Sequence, residues 1–262
     1  MKLALLGDIH ANLPALEAVL ANIDLRSDVD AILHAGDLVG YGPWPNETVA
    51  LIREGRIPGV AGNYDSTVAT DHDHCGCRYE NPRQEELAHR GYEWTRSRAW
   101  PETKRFLGSL PFRLDVRPAG GHTSGAQLIL VHGAPTRNTL YLDADRRDEF
   151  LATMAGKAAA REGDLLAFGH THIPWRREVA GVHFLNVGSV GKPKDGDWRA
   201  AYALVDFGPE GTPVSEIVRV EYDIDRATDG IRENGLPEEF AIQLRTGGHL
   251  DETLVPDDPG KG

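Results

Sequence analysis

The stretch KLALLGDIHANLPALEAVLANI, residues 2–23, decides the fold because it contains one complete strand–loop–helix unit. Leu3 to Leu6 form a short apolar run typical of a buried strand, and Gly7 and Asp8 end it. Apolar residues then recur at helical spacing from Ala15 to Ile23. A strand followed by such a helix predicts parallel strands joined by crossover helices.

The same alternation continues along the chain and predicts one α/β domain over residues 1–262, with two sheets. Further strands are predicted at residues 31–34, 58–61, 112–116, 127–131, 165–168, 175–179, 182–187, 201–207 and 214–222. Further helices are predicted at residues 47–53, 84–97, 101–109 and 145–160. Residues 66–110 are interpreted as an insert that covers the site, beginning with a polar loop at 66–81. Residues 223–262 are expected to form a helical tail with a disordered end.

Five of the predicted strands end in Gly or another small residue next to side chains that commonly bind metal ions. These side chains are Asp8, His10, Asp37, Asn63, His132, His170 and His172. The carboxyl ends of adjacent parallel strands meet at one edge of a sheet, so we expect these groups to converge. Carboxylate and amide oxygens mixed with imidazoles suit divalent ions such as Mn, Fe or Zn. Seven ligands are too many for one ion but suit two ions that share a carboxylate.

In order and spacing, this set resembles the calcineurin-like metallophosphoesterase superfamily, and residues 186–196 are similar to its bacterial phosphodiesterase branch. The resemblance implies a four-layer α/β/β/α sandwich with two mixed sheets. It also implies a dinuclear centre, most often Mn, with Fe, Zn, Ni, Co and Mg as alternatives. The roles it implies divide the ligands as follows: Asp8, His10 and His172 hold one ion, Asn63, His132 and His170 hold the other, and Asp37 bridges both.

The chain departs from the family at Tyr64, where many members carry a histidine that protonates the leaving oxygen. Tyrosine has a reference pKa near ~10 and is a poor general acid at neutral pH. The leaving-group proton is therefore expected from His72 or His74 of the insert, or from water at the metals. Asn138 and Tyr141 fall on a loop after the His132 strand, where substrate contact and simple loop packing are both open.

Several other polar residues have ordinary structural interpretations. Asp65 is expected either to orient a ligand or to cap the next segment. The His/Cys cluster at residues 71–77 is interpreted as a loop that covers the site rather than as a third metal site. Lys192 and Lys194 could attract phosphate, but we expect them to form a solvated surface pair.

The charge composition narrows the class of substrate that the chain is expected to bind. The formal net charge is −12, which disfavours duplex nucleic acid and favours a small phosphorylated substrate held at a local metal centre. There is no apolar run of about 18 residues or more, so no membrane span is expected. The chain begins with a strand rather than a signal peptide, and we expect a cytoplasmic protein.

The sequence therefore predicts a hydrolase that attacks a small phosphodiester with a hydroxide held at a dinuclear metal centre. A phosphomonoesterase with the same centre is one alternative. A non-catalytic scaffold for protein interaction is another, because a retromer subunit resembles this fold and has an impaired metal site. The sequence leaves open whether the chain forms a homo-oligomer.

Overall fold

The structure is a computed structural model that describes residues 1–79, 81–117, 125–208 and 212–250. Its strands are β1 Lys2–Leu6, β2 Ala31–His34, β3 Arg113–Val116, β4 Leu128–Val131, β5 Leu165–Phe168, β6 Trp175–Val179, β7 Val182–Asn186, β8 Ala200–Phe207 and β9 Pro213–Val220. Its helices are α1 Leu13–Asp24, α2 Pro45–Glu54, α3 Asn63–Ala69, α4 Pro82–Arg98, α5 Pro101–Ser109, α6 Asp148–Lys157, α7 Ile224–Glu233 and α8 Glu238–Arg245. Over these ranges, none of the helices has both the length and the apolar character needed to cross a membrane.

The strands form two mixed sheets, as predicted. The first has the order β2-β1-β8-β9, in which β1 pairs parallel with β2 and antiparallel with β8. The second has the order β3-β4-β5-β7-β6, in which β4, β5 and β7 run parallel and the two edge strands run antiparallel.

Alternate side chains of β1 face two different layers, as the period of two in a strand requires. Leu3 and Leu5 pack between the two sheets, whereas Ala4 and Leu6 pack beneath the helices that cover the first sheet. The outer face of the second sheet packs against α6. The order of layers is therefore helix, sheet, sheet, helix, and both sheets bring their strand ends to one side of the molecule.

Two predicted segments differ from the structure near that side. The strand predicted at residues 58–61 is reduced to one bridge, between His34 and Gly59. Proline at position 58 has no N–H to donate, and the Ala61 N–H bonds to the Pro111 carbonyl instead of extending a ladder. The loop predicted from residue 66 also begins too early, because α3 continues to Ala69.

The polar side chains of α3 explain that second difference. The hydroxyls of Ser66 and Thr67 donate to the carbonyls four residues earlier, at 2.8 and 2.7 Å. They therefore satisfy their own hydrogen-bonding needs within the helix. In the tail, the structure has the helices α7 and α8, while the predicted disordered end at 251–262 lies outside the described residues.

Candidate metal centre

The structure brings the seven predicted ligands together at the strand ends, and we call this set the ligand rim. Its members are Asp8, His10, Asp37, Asn63, His132, His170 and His172, all of them buried. The ligand atoms of two subsets lie within 4.8 Å of one another: Asp8 with His10 and His172, and Asp37 with His132 and His170. Asn63 joins the second subset, because its Oδ1 lies 3.0 Å from His132 Nε2.

One carboxylate lies between the two subsets. Asp37 Oδ2 is 3.4 Å from His132 Nε2 in its own subset and 3.7 Å from His10 Nε2 in the other. The Asp37 Oδ1 atom is used differently, because it accepts a hydrogen bond of 2.9 Å from the Tyr64 N–H. Asp37 is thus held by the backbone on one oxygen and reaches both subsets with the other.

Backbone carbonyls set the direction of three imidazoles. The Nδ1 atoms of His10, His132 and His172 lie 3.0, 2.8 and 2.6 Å from main-chain carbonyl oxygens. Since Nδ1 must carry the proton to donate there, Nε2 is left with a lone pair that points into the rim.

Two of these lone pairs face each other, because His10 Nε2 lies 3.1 Å from His172 Nε2. The lone pair of His132 Nε2 faces His170 Nδ1 at 3.2 Å. Asp8 Oδ1 is also buried, with no hydrogen-bond partner in the described part of the chain. Acceptor atoms packed this closely repel unless a cation lies between them, so the donor set fits divalent ions.

The backbone of the rim is also unusual. Asp8, His10, Asp37, His170 and His172 all have φ between 49° and 68°. Such left-handed conformations are uncommon for residues other than glycine, and they cluster at functional sites. The flanking glycines allow the carboxylates to approach, because a Cβ at Gly62 would lie 2.0 Å from Asp37 Oδ1 and one at Gly169 2.5 Å from Asp8 Oδ2.

Burial opposes the charges that the rim would need to bind metal. It raises the pKa of Asp8 to about 7 and that of Asp37 well above its usual range, to which the nearby Asp65 carboxylate also contributes. Burial also holds the pKa of His10 and His172 well below the usual value, which keeps these imidazoles neutral. Metal ions bind neutral imidazoles and ionised carboxylates. Burial disfavours the ionised form of the two carboxylates, and a bound cation would stabilise that form.

The residues Cys75, Cys77 and Asp65 hold the Asn63 and Asp37 loops. The Asn63 amide donates to the Cys75 carbonyl at 3.0 Å and to Cys77 Sγ at 3.3 Å, which leaves its oxygen turned toward the rim. Asp65 accepts from the N–H groups of Leu38 at 2.8 Å and Gly62 at 2.9 Å. Asp65 therefore performs both functions that the sequence left open, because it caps α3 and orients the Asp37 segment.

Tyr64 lies beside the rim, whereas the two insert histidines do not. The Tyr64 ring is 5.4 Å from the His10 ring, and its hydroxyl is buried. Burial raises its pKa well above 10. His72 and His74 are exposed, bond to each other, and do not line the cleft above the rim.

The cleft above the rim has a volume of about 210 Å³. Tyr141 lines it and lies against His170 with a ring separation of 3.9 Å. Asn138 instead holds its own loop in place by donating to the Gly62 carbonyl at 3.2 Å and to Ser66 at 3.1 Å.

The remaining walls of the cleft contain residues that sequence reasoning did not place there. They include Tyr41, Arg78, Lys192, Lys194, Phe240 and Gln243. The prediction of a solvated lysine pair is wrong for Lys192, which is only 4% exposed, although Lys194 is exposed. Lys192 is buried because α8 packs over it, a contact between distant parts of the chain that leaves no local pattern.

Comparison with known proteins identifies relatives along most of the chain. The model of the calcineurin-like phosphoesterase superfamily domain matches residues 1–209. An uncharacterized protein of Methanocaldococcus jannaschii is 34% identical over 262 residues, covering 94% of this chain and 98% of its own length. The crystal structure of a metallophosphoesterase from Sphaerobacter thermophilus is 31% identical with a TM-score of 0.72, covering 94% of this chain and 99% of that one. The phosphodiesterase YfcE of Escherichia coli is 25% identical over 206 residues, covering 79% of this chain and 88% of its own length.

Proposed function

Because the chain belongs to the calcineurin-like phosphoesterase superfamily, we propose that it hydrolyses a small phosphodiester using two divalent ions held by the ligand rim. The observation that carries this proposal is the pair of ligand subsets on either side of Asp37, each with lone pairs turned inward. Similarity to the YfcE phosphodiesterase favours a diester as the scissile group.

The ligands divide between the ions as the geometry groups them. Asp8, His10 and His172 would hold one ion, and Asn63, His132 and His170 the other. Asp37 would contact both, and the mixed oxygen and nitrogen donors suit Mn, Fe or Zn, of which the family resemblance favours Mn. Two such ions, when bound, would polarise the phosphoryl group and lower the pKa of a bound water from ~15.7 toward ~7.

Tyr64 has a different role from the histidine that it replaces. Because burial raises its pKa, the phenol keeps its proton at neutral pH and cannot act as an efficient acid. Its hydroxyl would instead donate a hydrogen bond to a phosphoryl oxygen in the cleft. With His72 and His74 exposed, the leaving-group proton would come from solvent in the cleft, so esters with acidic leaving groups should react faster.

A phosphomonoesterase is the second candidate function. Arg78 and Lys194 line the cleft, and cationic side chains of this kind suit the dianion of a monoester. A non-catalytic scaffold is less consistent with the chain, because every predicted ligand is present and buried at one place.

The test is to measure metal content and turnover on the same preparation. Metal-free protein should take up two Mn ions per chain and then hydrolyse bis(p-nitrophenyl) phosphate faster than p-nitrophenyl phosphate. Faster hydrolysis of the monoester would favour the second candidate. Binding of two ions without turnover of either ester would support the scaffold.

A further inference from the structure

Two thiols in the loop after α3 lie against each other, and neither belongs to the ligand rim. Cys75 Sγ is 2.8 Å from Cys77 Sγ, and both cysteines are free. They are the two cysteines of the chain. Gly76 lies between them with a φ of 74°, a conformation that glycine adopts readily, so the tight turn that joins the two cysteines carries little backbone strain.

The two thiols differ in their access to solvent. Cys75 is 1% exposed, whereas Cys77 is partly exposed and lines the cleft above the rim. A small oxidant that enters the cleft therefore reaches the Cys77 sulfur first. The buried Cys75 sulfur is already in contact with it and can attack the oxidised atom from inside the protein. An accessible thiol beside a second thiol is the arrangement typical of cysteines that are oxidised reversibly.

Cys77 also contacts the candidate metal centre. The Asn63 amide donates a hydrogen bond of 3.3 Å to Cys77 Sγ, and this contact helps to turn the Asn63 oxygen toward the rim. A covalent bond to Cys75 would shift the Cys77 sulfur from this position and disturb the hydrogen bond. The oxidation state of the thiols is thus connected to the orientation of one rim side chain.

We propose that Cys75 and Cys77 are a modification site, at which a peroxide forms a reversible disulfide that weakens metal binding on the Asn63 side of the rim. Formation of the disulfide is independent of the proposed function. The effect on metal binding rests on the proposed function, because Asn63 acts there as a ligand.

The oxidation takes place in two steps. In the first, the Cys77 sulfur attacks one oxygen of hydrogen peroxide, the O–O bond breaks, and the thiol proton leaves with the other oxygen as water. In the second, the Cys75 sulfur attacks the sulfenic sulfur of Cys77, the S–O bond breaks, and the Cys75 thiol proton leaves with the hydroxyl as a second water. The two thiols together lose two electrons, and the peroxide gains them.

The spacing of the two cysteines favours a bond that can be reduced again. A disulfide across a single intervening residue closes a small ring, which strains the bond. Strained disulfides are reduced more readily than structural ones. This disulfide should therefore respond to the redox conditions around the protein rather than hold the fold together.

The first experiment counts thiols in the full chain without metal. After treatment with hydrogen peroxide, the free thiols measured in denaturant should fall from two per chain to none, and dithiothreitol should restore both. A non-reducing denaturing gel should show no cross-linked chains. An unchanged thiol count, a loss that dithiothreitol does not reverse, or disulfides formed only between chains would overturn the site.

Single serine variants test the order of the two steps. Cys75→Ser should accumulate a sulfenic acid on Cys77 that dimedone traps, because the second thiol is missing. Cys77→Ser should react far more slowly, because Cys75 is buried. Labelling of Cys77→Ser as fast as that of Cys75→Ser would overturn the assignment of Cys77 as the thiol that the peroxide meets first.

Mn titration of the reduced and the oxidised chain tests the effect on the rim. The oxidised chain should bind one of its two ions about tenfold more weakly, the loss typical of an orienting contact. The affinity should recover after reduction and removal of the reductant. Equal Mn affinities in the two states would overturn the effect on the rim. Absence of Mn binding in both states would contradict the proposed function itself, whereas the disulfide is measured without metal.

Discussion

The ligand rim and the walls of the cleft above it are built in different ways. Every rim side chain is buried at a strand end or at the start of α3, and most have left-handed backbone angles. The walls include Arg78, which is exposed in the loop after α3, and Gln243, which is partly exposed on α8. The difference suggests that the rim fixes the chemistry while the walls select the substrate.

The rim is also the more tightly constrained region. Its ligands are held by main-chain groups, as Asp37 is by the Tyr64 N–H and His172 by the Lys192 carbonyl. The walls depend on side-chain contacts such as the one between Lys192 and Gln243. The loss of activity or stability that a substitution causes should therefore decrease with its distance from Asp37.

The largest effect is expected for Asp37→Asn, which keeps an acceptor for the Tyr64 N–H but removes the shared charge. Loss of several kcal/mol of electrostatic stabilisation should lower kcat/KM by about 10³-fold. Metal content should fall below two ions per chain. Steady-state kinetics and elemental analysis check both expectations, with the exposed Asp115→Asn as control. Two bound ions and near-normal turnover would show that the rim does not depend on this carboxylate.

A smaller effect, on stability, is expected for Asp65→Ala, because Asp65 contacts the backbone that supports the rim and not the rim itself. The change leaves the Leu38 and Gly62 N–H groups buried without an acceptor. At about 1–3 kcal/mol for each unsatisfied group, the free energy of unfolding should fall by roughly 3 kcal/mol in urea denaturation. Asp65→Asn keeps one acceptor and should lose less. Equal losses in the two variants would contradict this account.

The next effect concerns His34, on the β2 strand that leads to Asp37. Burial lowers its pKa to about 3, against ~6.5 in the unfolded chain. Below pH 6.5 the unfolded chain binds a proton that the folded chain does not, so the free energy of unfolding falls as pH decreases toward 3.

The slope from this one proton is about 1.4 kcal/mol per pH unit, or roughly 2 kcal/mol between pH 6.5 and 5. His34→Leu should remove that part of the acid destabilisation in urea melts at several pH values. His249→Leu, at an exposed histidine, should leave the pH dependence unchanged. A slope that survives in His34→Leu would mean that other groups produce it.

The smallest effect is expected in the wall loop. Cys77→Ala removes one of the two acceptors of the Asn63 amide, and loss of such an orienting contact typically weakens metal binding by about tenfold. Competitive titration with a metal-sensitive dye measures the affinity of the chain for each bound ion. Cys75→Ala is the matched comparison, because it keeps the main-chain carbonyl that Asn63 also uses. Equal metal affinities in the two variants would show that the Cys77 contact does not contribute to metal binding.

The residues of the rim could be predicted because strand ends and ligand types are both recognisable from short stretches of sequence. An apolar run followed by Gly-Asp, as at Asp8, shows the element and the ligand together. The paired sheets followed from the same alternation, with boundaries within a few residues. The strand predicted at 58–61 failed because proline chemistry and a bond to Pro111 outweighed the apolar pattern.

The walls could not be predicted in the same way. The burial of Lys192 depends on α8, about 50 residues later in the chain, and no local periodicity reports it. The prediction of His72 and His74 as acids rested on their position close after a ligand in the sequence. Only the fold shows that this loop directs Cys77 rather than the histidines into the cleft.

The position of β1 within its sheet also affects how the protein can be made. β1 pairs with β8, so Leu6 lies opposite Tyr202, and that partner is synthesised almost 200 residues after it. Contacts of such long range are slow to form and must wait until the distant segment has left the ribosome. Asp8 lies two residues after the end of β1, so the part of the ligand rim that contains it should assemble only after most of the chain has been synthesised.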